Sequence, residues 1–295
     1  MKKCLLCDKL ILEGWFENEA QILPWILAGQ ILVNNEQIHS MKEQVPIDAV
    51  IRIKQYYKKR FVNKGGLKLQ GAIDELNVDV KDKIALDCGA STGGFTDCLL
   101  VNGAKSVYAV DVGFGQLAAK LLNDARVISM EKTNLSDSSL IDLAPKPELA
   151  TLDLSYLSLK KAVVTCKNIL CSNGKILALI KPIFEVDSKK IRQTGEINNP
   201  DVHKKIINEL FDFFTNNSFI INGFTNSSVK GNGGTIEYFV YLSLKKDPLP
   251  VTLNHAERDF FNDIQKINDI DEVIKKAFEL KDFDKNAFSS PPEQL

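Results

Sequence analysis

A chain of 295 residues is long enough for about two domains, and 37 basic side chains against 38 acidic ones exclude nucleic-acid binding driven by overall charge. Its 44% hydrophobic and 25% charged residues are ordinary for a soluble protein, and no apolar run approaches the roughly 18 residues of a membrane span. A cytoplasmic protein without a membrane partner is therefore expected. Met1-Lys2-Lys3 does not open a secretion signal, because Asp8 and Lys9 interrupt the apolar residues too early. The six cysteines, at positions 4, 7, 88, 98, 166 and 171, lack the spacing of a disulfide framework. Cys4-x-x-Cys7 has zinc-ligand spacing, but no second pair follows and His39, His203 and His255 lie far apart, so no metal is expected.

Residues 1–55 read as a small α+β module. Leu5, Leu6, Leu10 and Ile11 form an apolar stripe, Gly14 breaks it, and Ala20 to Leu27 form a second helical stretch in which Pro24 should introduce a kink or a stop. A strand over 28–34 and another from Val45 to Ile53 complete the module.

Residues 56–67 form a basic linker between this module and the next domain. Between Asp48 and Asp74 no acid occurs, while Lys58, Lys59, Arg60 and Lys64 join Arg52, Lys54 and Lys68 in one positive segment. Tyr56, Tyr57 and Phe61 are interleaved. Charge that tracks a phosphate backbone is thus combined with rings that stack on bases, which marks Lys58, Lys59, Arg60 and Lys64 as RNA-binding candidates.

From residue 68 to 246 strands and helices alternate. Strands are predicted near 83–87, 106–111, 126–130, 149–154, 175–181, 219–225 and 235–243, with helices near 68–76, 95–102, 115–123, 158–170 and 201–216. That order implies an α/β, doubly wound Rossmann-like sheet, in which ligands sit beyond the carboxyl ends of the strands. Asp87, Asp111, Asp153 and Lys181 fall at such ends. The turn Gly89-Ala90-Ser91-Thr92-Gly93-Gly94-Phe95 joins the first strand to a helix; its glycines permit a tight turn, and amides at the helix start can hold an anion. Asp111 ends the next strand, where an acid can accept hydrogen bonds from ribose hydroxyls or cap the following helix. The turn lacks the Gly-x-Gly-x-x-Gly of dinucleotide binders, which argues against a nicotinamide-dependent oxidoreductase. Residues 247–295, opened by Pro248 and Pro250, read as a helical C-terminal extension without a chemical motif.

Two resemblances emerge from these motifs. Ala28-Gly29-Gln30-Ile31-Leu32-Val33-Asn34 with the later Val45-Pro46-Ile47-Asp48-Ala49 resembles the alpha-L RNA-binding domain, with Asn18 and Glu19 where that family usually carries basic residues. Phe61 to Leu69, Asp87 to Asp97, Val107 to Gly113, Asp153-Leu154-Ser155, Ile180-Lys181-Pro182 and Ile236-Glu237-Tyr238, in that order, resemble the TlyA (haemolysin A-like) family of ribosomal RNA methyltransferases, related to the FtsJ-like 2′-O-methyltransferases. The resemblance implies S-adenosylmethionine as cofactor and ribosomal RNA or ribosomal subunits as partner, with a ribose 2′-hydroxyl, as in cytidine, as the methyl acceptor. It also implies that Lys68, Asp153, Lys181 and Glu237 form the catalytic tetrad, that Gly89, Ala90, Ser91, Thr92, Gly93, Gly94 and Phe95 line the methionine side, and that Asp111 holds the ribose with Asn134 on the adenine side. The family's usual Arg is Lys64 here, which loses forked phosphate recognition.

Such a tetrad suits the reaction, because a ribose hydroxyl is a poor nucleophile until its proton is removed. Lys181 is implied as the base and Lys68 as the neighbouring cation. Asp153 then orients the amines, and Glu237 fixes Lys68 or accepts a hydrogen bond from the hydroxyl. A noncatalytic RNA-binding or ribosome-assembly factor that keeps this fold is the alternative.

Overall fold

Short apolar runs bounded by glycine and polar breaks become strands throughout this chain. The computed structural model describes residues 2–16, 18–27, 29–53, 61–155, 157–186, 197–244 and 269–280, which fall into two units described in turn.

In the first unit, β1 (Lys3–Leu5) leads into α1 (Leu6–Leu12), followed by α2 (Glu19–Leu27), β2 (Ile31–Val33), β3 (Glu36–Gln37), β4 (Gln44–Pro46) and β5 (Ile51–Ile53). Leu6, Leu10, Ile22, Trp25, Ile26 and Ile31 close its core. Packing of Ile22, Trp25 and Ile26 carries α2 past Pro24 to Leu27 instead of ending it there. Asn34 and Asn35, at φ 51° and 69°, make the left-handed turn that joins β2 to β3. The single strand expected over Val45–Ile53 is two strands in two sheets: β4 pairs with β1, and β5 pairs with β2. A turn separates them, in which the Ala49 amide donates to the Pro46 carbonyl at 3.0 Å.

The second unit begins with α3 (Lys64–Leu76) and a seven-stranded sheet built from β6 (Ile84–Cys88), β7 (Ser106–Val110), β8 (Val127–Met130), β9 (Leu149–Leu152), β10 (Lys175–Ile180), β11 (Phe219–Asn226) and β12 (Tyr238–Leu244). Its order is β11-β12-β10-β9-β6-β7-β8. β12 runs antiparallel to both neighbours and the rest of the strands are parallel. Helices α4 (Gly94–Val101), α5 (Ala119–Leu122), α6 (Leu159–Ile169), α7 (Pro182–Glu185), α8 (Pro200–Asn216) and α9 (Ile270–Phe278) accompany it. Alternate residues of the strands enter opposite cores: Leu86, Ala150 and Ala178 meet α6, α8 and α9, whereas Ala85, Leu149 and Leu177 meet α3, α4 and α5. Burial on both faces explains why these strands read as continuous apolar runs.

Three differences from the sequence expectations have clear causes. α3 starts at Lys64, so residues 64–67 belong to the helix and not to a linker; Asn63 caps it by accepting from the Gly65 amide at 2.7 Å. Gly65-Gly66 looks unfavourable for a helix, but a Cβ at Gly66 would stand 2.3 Å from Phe61 Cβ, so this glycine serves packing. The third helix, expected over 115–123, is only Ala119–Leu122, because Gly115 at φ 67° interrupts it. Finally, α9 does not stand apart from the sheet: Val273, Ile274 and Ala277 join the main core, and Asp271 accepts from Lys204 at 2.7 Å. Phe260, Phe261, Ile264 and Ile267 of the expected extension lie outside the described residues.

Phe61, only 1% exposed, anchors the start of this unit. Phe61→Ala is expected to remove about 3–5 kcal/mol of stability, read as a lower urea midpoint at unchanged slope.

Candidate active site

Chain order reverses between β6 and β9, since β6 continues outward to β7 and β8 while β9 continues to β10 on the other side. Crevices form at such a switch point beyond the carboxyl ends of the strands. Here a cavity of about 500 Å³ opens, lined by Lys68, Gly89, Ser91, Asp153, Lys181 and Glu237 among others. All four expected catalytic side chains therefore meet at one cavity, although they come from α3 and from the ends of β9, β10 and the segment before β12.

They form two ion pairs. Lys68 Nζ donates to Glu237 Oε2, with the residues 5% and 4% exposed, so the charges compensate each other where water cannot. Lys181 Nζ stands 2.5 Å from Asp153 Oδ1 and 3.4 Å from Ser155 Oγ. Asp153 Oδ1 is fully enclosed, yet among the described residues no donor is aligned on it for a hydrogen bond. Lys181 closes it off as an ion-pair partner without the geometry of a hydrogen bond.

The glycine-rich turn is shaped by close approach. Gly89 adopts φ 86°, and a Cβ there would lie 2.4 Å from the Asp153 carbonyl oxygen. Gly93, at φ 99°, packs where a Cβ would meet Leu121 Cδ1 at 2.1 Å. Gly89, Ala90, Ser91, Gly94 and Phe95 line the cavity; Thr92 and Gly93 do not. Phe95 is buried, with its ring stacked on Phe239 at 6.0 Å, so it is a core side chain as well as a lining one. Asp111 accepts from the Ser91 amide at 2.8 Å and the Gly113 amide at 2.7 Å, tying the end of β7 to the turn. Asn134 is not brought to this cavity; it is exposed and accepts from the Ser136 amide at 2.9 Å. Lys64 lines the cavity and donates to the Lys230 carbonyl at 3.4 Å. Lys58, Lys59 and Arg60 lie outside the described residues.

Several supporting residues escape a reading of the sequence, because their contacts join distant segments. Asn63 Nδ2 donates to Thr92 Oγ1 at 2.5 Å, stapling the cap of α3 to the turn. Asp97 accepts from the Val62 amide at 2.7 Å and from Lys120 at 2.8 Å. Gly231 lies over the tetrad, where a Cβ would come 2.3 Å from Glu237 Oε1. Asp87 has the parity of Ala85 and is fully buried beneath the turn, accepting from Thr96 at 2.6 Å and Thr151 at 3.0 Å.

Burial pushes the Asp87 carboxyl up to about 7, against the two threonine hydrogen bonds and with a smaller push from Asp153. Unfolding returns it to the ordinary range near 3.8, so the folded state loses stability as pH rises from about 4 to 7, by up to about 4 kcal/mol. Burial holds His203 below its usual 6.5, which withdraws stability in the opposite direction, as pH falls. Asp87→Asn should therefore gain on the wild type between pH 5 and pH 8, a difference from which His203 cancels; parallel urea titrations at the two pH values measure it.

The FtsJ-like methyltransferase family matches residues 61–244. YqxC of Bacillus subtilis is 38% identical over 237 residues, covering 80% of this chain and 84% of its own. The 16S/23S rRNA (cytidine-2′-O)-methyltransferase TlyA of Mycobacterium tuberculosis is 29% identical, covering 81% of this chain and 89% of its own. A hemolysin of Lactococcus lactis, known from its crystal structure, superposes with a TM-score of 0.65 at 38% identity, covering 75% of this chain and 99% of its own. With the family match extending over more than half its length and these relatives alongside, the chain belongs to the FtsJ-like methyltransferases and, among them, to the TlyA group of rRNA methyltransferases.

Proposed function

We propose that this protein transfers a methyl group from S-adenosylmethionine to the 2′-hydroxyl of a ribose, that of a cytidine, in ribosomal RNA. The observation that carries this reading is the meeting of Lys68, Asp153, Lys181 and Glu237 in one cavity beside the glycine-rich turn. The residues present fit the cofactor. Gly89, Ser91 and Gly94 bring the backbone of the turn to the cavity wall, the first turn of α4 offers backbone amides to a carboxylate, and the Asp153 carboxylate on the same wall suits a cationic neighbour. Gly89, Ser91 and Gly94 would hold its methionine side, and Asp111 fixes the turn that does so. When bound, the cofactor supplies an electrophilic methyl group on a positive sulfur.

The remaining chemistry belongs to the chain. Lys181 accepts the proton of the 2′-hydroxyl, leaving the oxygen lone pair available for attack. Asp153, 2.5 Å away, neutralises the ammonium this creates. The Lys68–Glu237 pair holds a second, internally compensated charge beside the reacting oxygen and keeps the cavity floor rigid. By holding the ribose in one orientation, the residues around this cavity would contribute much of the rate.

The first unit, with its hairpin Asn34-Asn35 and its likeness in pattern to alpha-L domains, is taken as an RNA-binding module, and the basic stretch Lys58-Lys59-Arg60 with Lys64 as the track of the RNA backbone. A cytoplasmic location accords with that substrate. Among the described residues no helix is long and apolar enough to cross a membrane.

The test is transfer of labelled methyl from S-adenosylmethionine to unmodified ribosomal RNA and to isolated subunits, with the modified position mapped. Label confined to a 2′-oxygen of cytidine upholds the proposal. Cofactor binding without incorporation into any of these RNAs refutes it and favours the noncatalytic alternative.

A further inference from the structure

A second cavity, of about 330 Å³, adjoins the first, and Lys181 and Glu237 border both. Its other walls are mixed: Pro182, Ile183, Ile197, Ile236 and Phe278 are apolar, whereas Asn198, His203, Lys230 and Thr235 are polar. Phe278 comes from α9, beyond residue 244 where the family match ends. Its ring meets that of His203 edge-on, with centroids 5.1 Å apart at 71°.

His203 is itself fixed on both nitrogens. Nε2 lies 2.9 Å from the Ile197 carbonyl, which only accepts, so the proton sits on Nε2. Nδ1 is left to accept from the Tyr238 hydroxyl at 2.8 Å. Tyr238 follows Glu237 in the chain. The position of Phe278 is thus registered, through one histidine, to the first residue of β12, next in the chain to a tetrad carboxylate.

We infer that this second cavity receives the base of the nucleotide being methylated, and that Phe278 is the wall that selects and holds it. The inference rests on the proposed function. The carbon bearing the base is bonded to the carbon bearing the 2′-oxygen, so a ribose presented to Lys181 places its base in space bordering Lys181 and Glu237. The first cavity contains the glycine-rich turn, which leaves the second for the base. The Phe278 ring and the isoleucines suit the flat face of a base withdrawn from its stack, and Asn198, Lys230 and Thr235 suit its polar edge.

The experiment measures methyl transfer to ribosomal RNA by the full chain and by Phe278→Ala and Phe278→Leu, with thermal unfolding and cofactor binding in parallel. Loss of one base-stacking wall is expected to raise the KM for RNA by about 5- to 100-fold, with kcat and cofactor affinity near those of the wild type. Phe278→Leu restores packing against α8 without an aromatic face, so it should recover thermal stability while keeping a raised KM. If Phe278→Ala fails to fold, that leucine variant alone decides. A wild-type KM in Phe278→Leu, or a fall in melting temperature without a change in KM in Phe278→Ala, overturns the inference and leaves the proposed function standing. Absence of methyl transfer by the wild type overturns the proposed function, and the inference with it.

Discussion

Lys181→Ala is expected to lower methyl transfer by about 10²- to 10⁴-fold while cofactor binding survives. The side chain stands at the end of β10 within reach of Asp153 and Ser155, on the border shared by both cavities. Alanine removes the amine proposed to take the hydroxyl proton but leaves the glycine-rich turn and its ties to Asp111 and Asn63 untouched. Lys181→Arg sharpens the test, because a guanidinium keeps the positive charge opposite Asp153 but cannot serve as a base near neutral pH. Both variants inactive, each with normal cofactor titration, would identify proton removal as the role of Lys181. Substantial turnover by the arginine variant would assign it to charge stabilisation alone.

Asp153 behaves differently from its partner in this scheme. The Lys68–Glu237 pair is deep, mutually satisfied and remote from solvent, as befits a support. The Lys181–Asp153 pair is more open, with side-chain exposures of 15% and 24%, and lacks hydrogen-bond alignment despite its short separation. A satisfied pair resists rearrangement, whereas an unaligned one can exchange its partner for a substrate hydroxyl at little cost. The division between a scaffold pair and a working pair follows from this contrast.

The sheet was largely legible in the sequence because its central strands are buried on both faces. Runs such as Ile84-Ala85-Leu86 and Ile176-Leu177-Ala178-Leu179-Ile180 have no polar alternation to confuse with a surface helix. Polar residues at strand ends, Asp153 and Lys181, were legible for the same reason: each interrupts an apolar run where the chain leaves the sheet. What the sequence concealed are contacts across space. Nothing in Asn63 announces that its amide will cap α3 and reach Thr92, and the two glycines after it argue locally against a helix that tertiary packing imposes. The split of Val45–Ile53 into β4 and β5 was hidden similarly, since alternation continues through the Asp48-Ala49 turn. The helix of the tail was legible as amphipathic from Ile270, Val273, Ile274 and Ala277; that α8 and β11 cover its apolar face was not, because a linear scan does not say what such a face meets.

Gly89→Ala should damage the protein more broadly than any tetrad substitution, since it strikes both the cofactor shelf and the backbone that carries Asp153. At φ 86° an alanine is strained whatever its surroundings, at a cost of about 1–3 kcal/mol. The added Cβ would also sit 2.4 Å from the Asp153 carbonyl oxygen, a backbone atom that cannot swing aside. The Asp153 amide is held in turn by the Cys88 carbonyl at 3.0 Å, so the ends of β6 and β9 must separate for the methyl group to fit. That movement displaces Asp153 from Lys181 and widens the turn facing the cofactor. A displacement of about 1 Å at a reacting centre costs on the order of 10²-fold in rate. Cofactor titration, turnover and urea unfolding of Gly89→Ala should therefore fall together. Gly115→Ala provides the control, because Gly115 has a similar φ of 67° but no atom within 4 Å of an added Cβ. A comparable loss of activity in the Gly115 variant would trace the effect to backbone strain in general and not to the contact between β6 and β9.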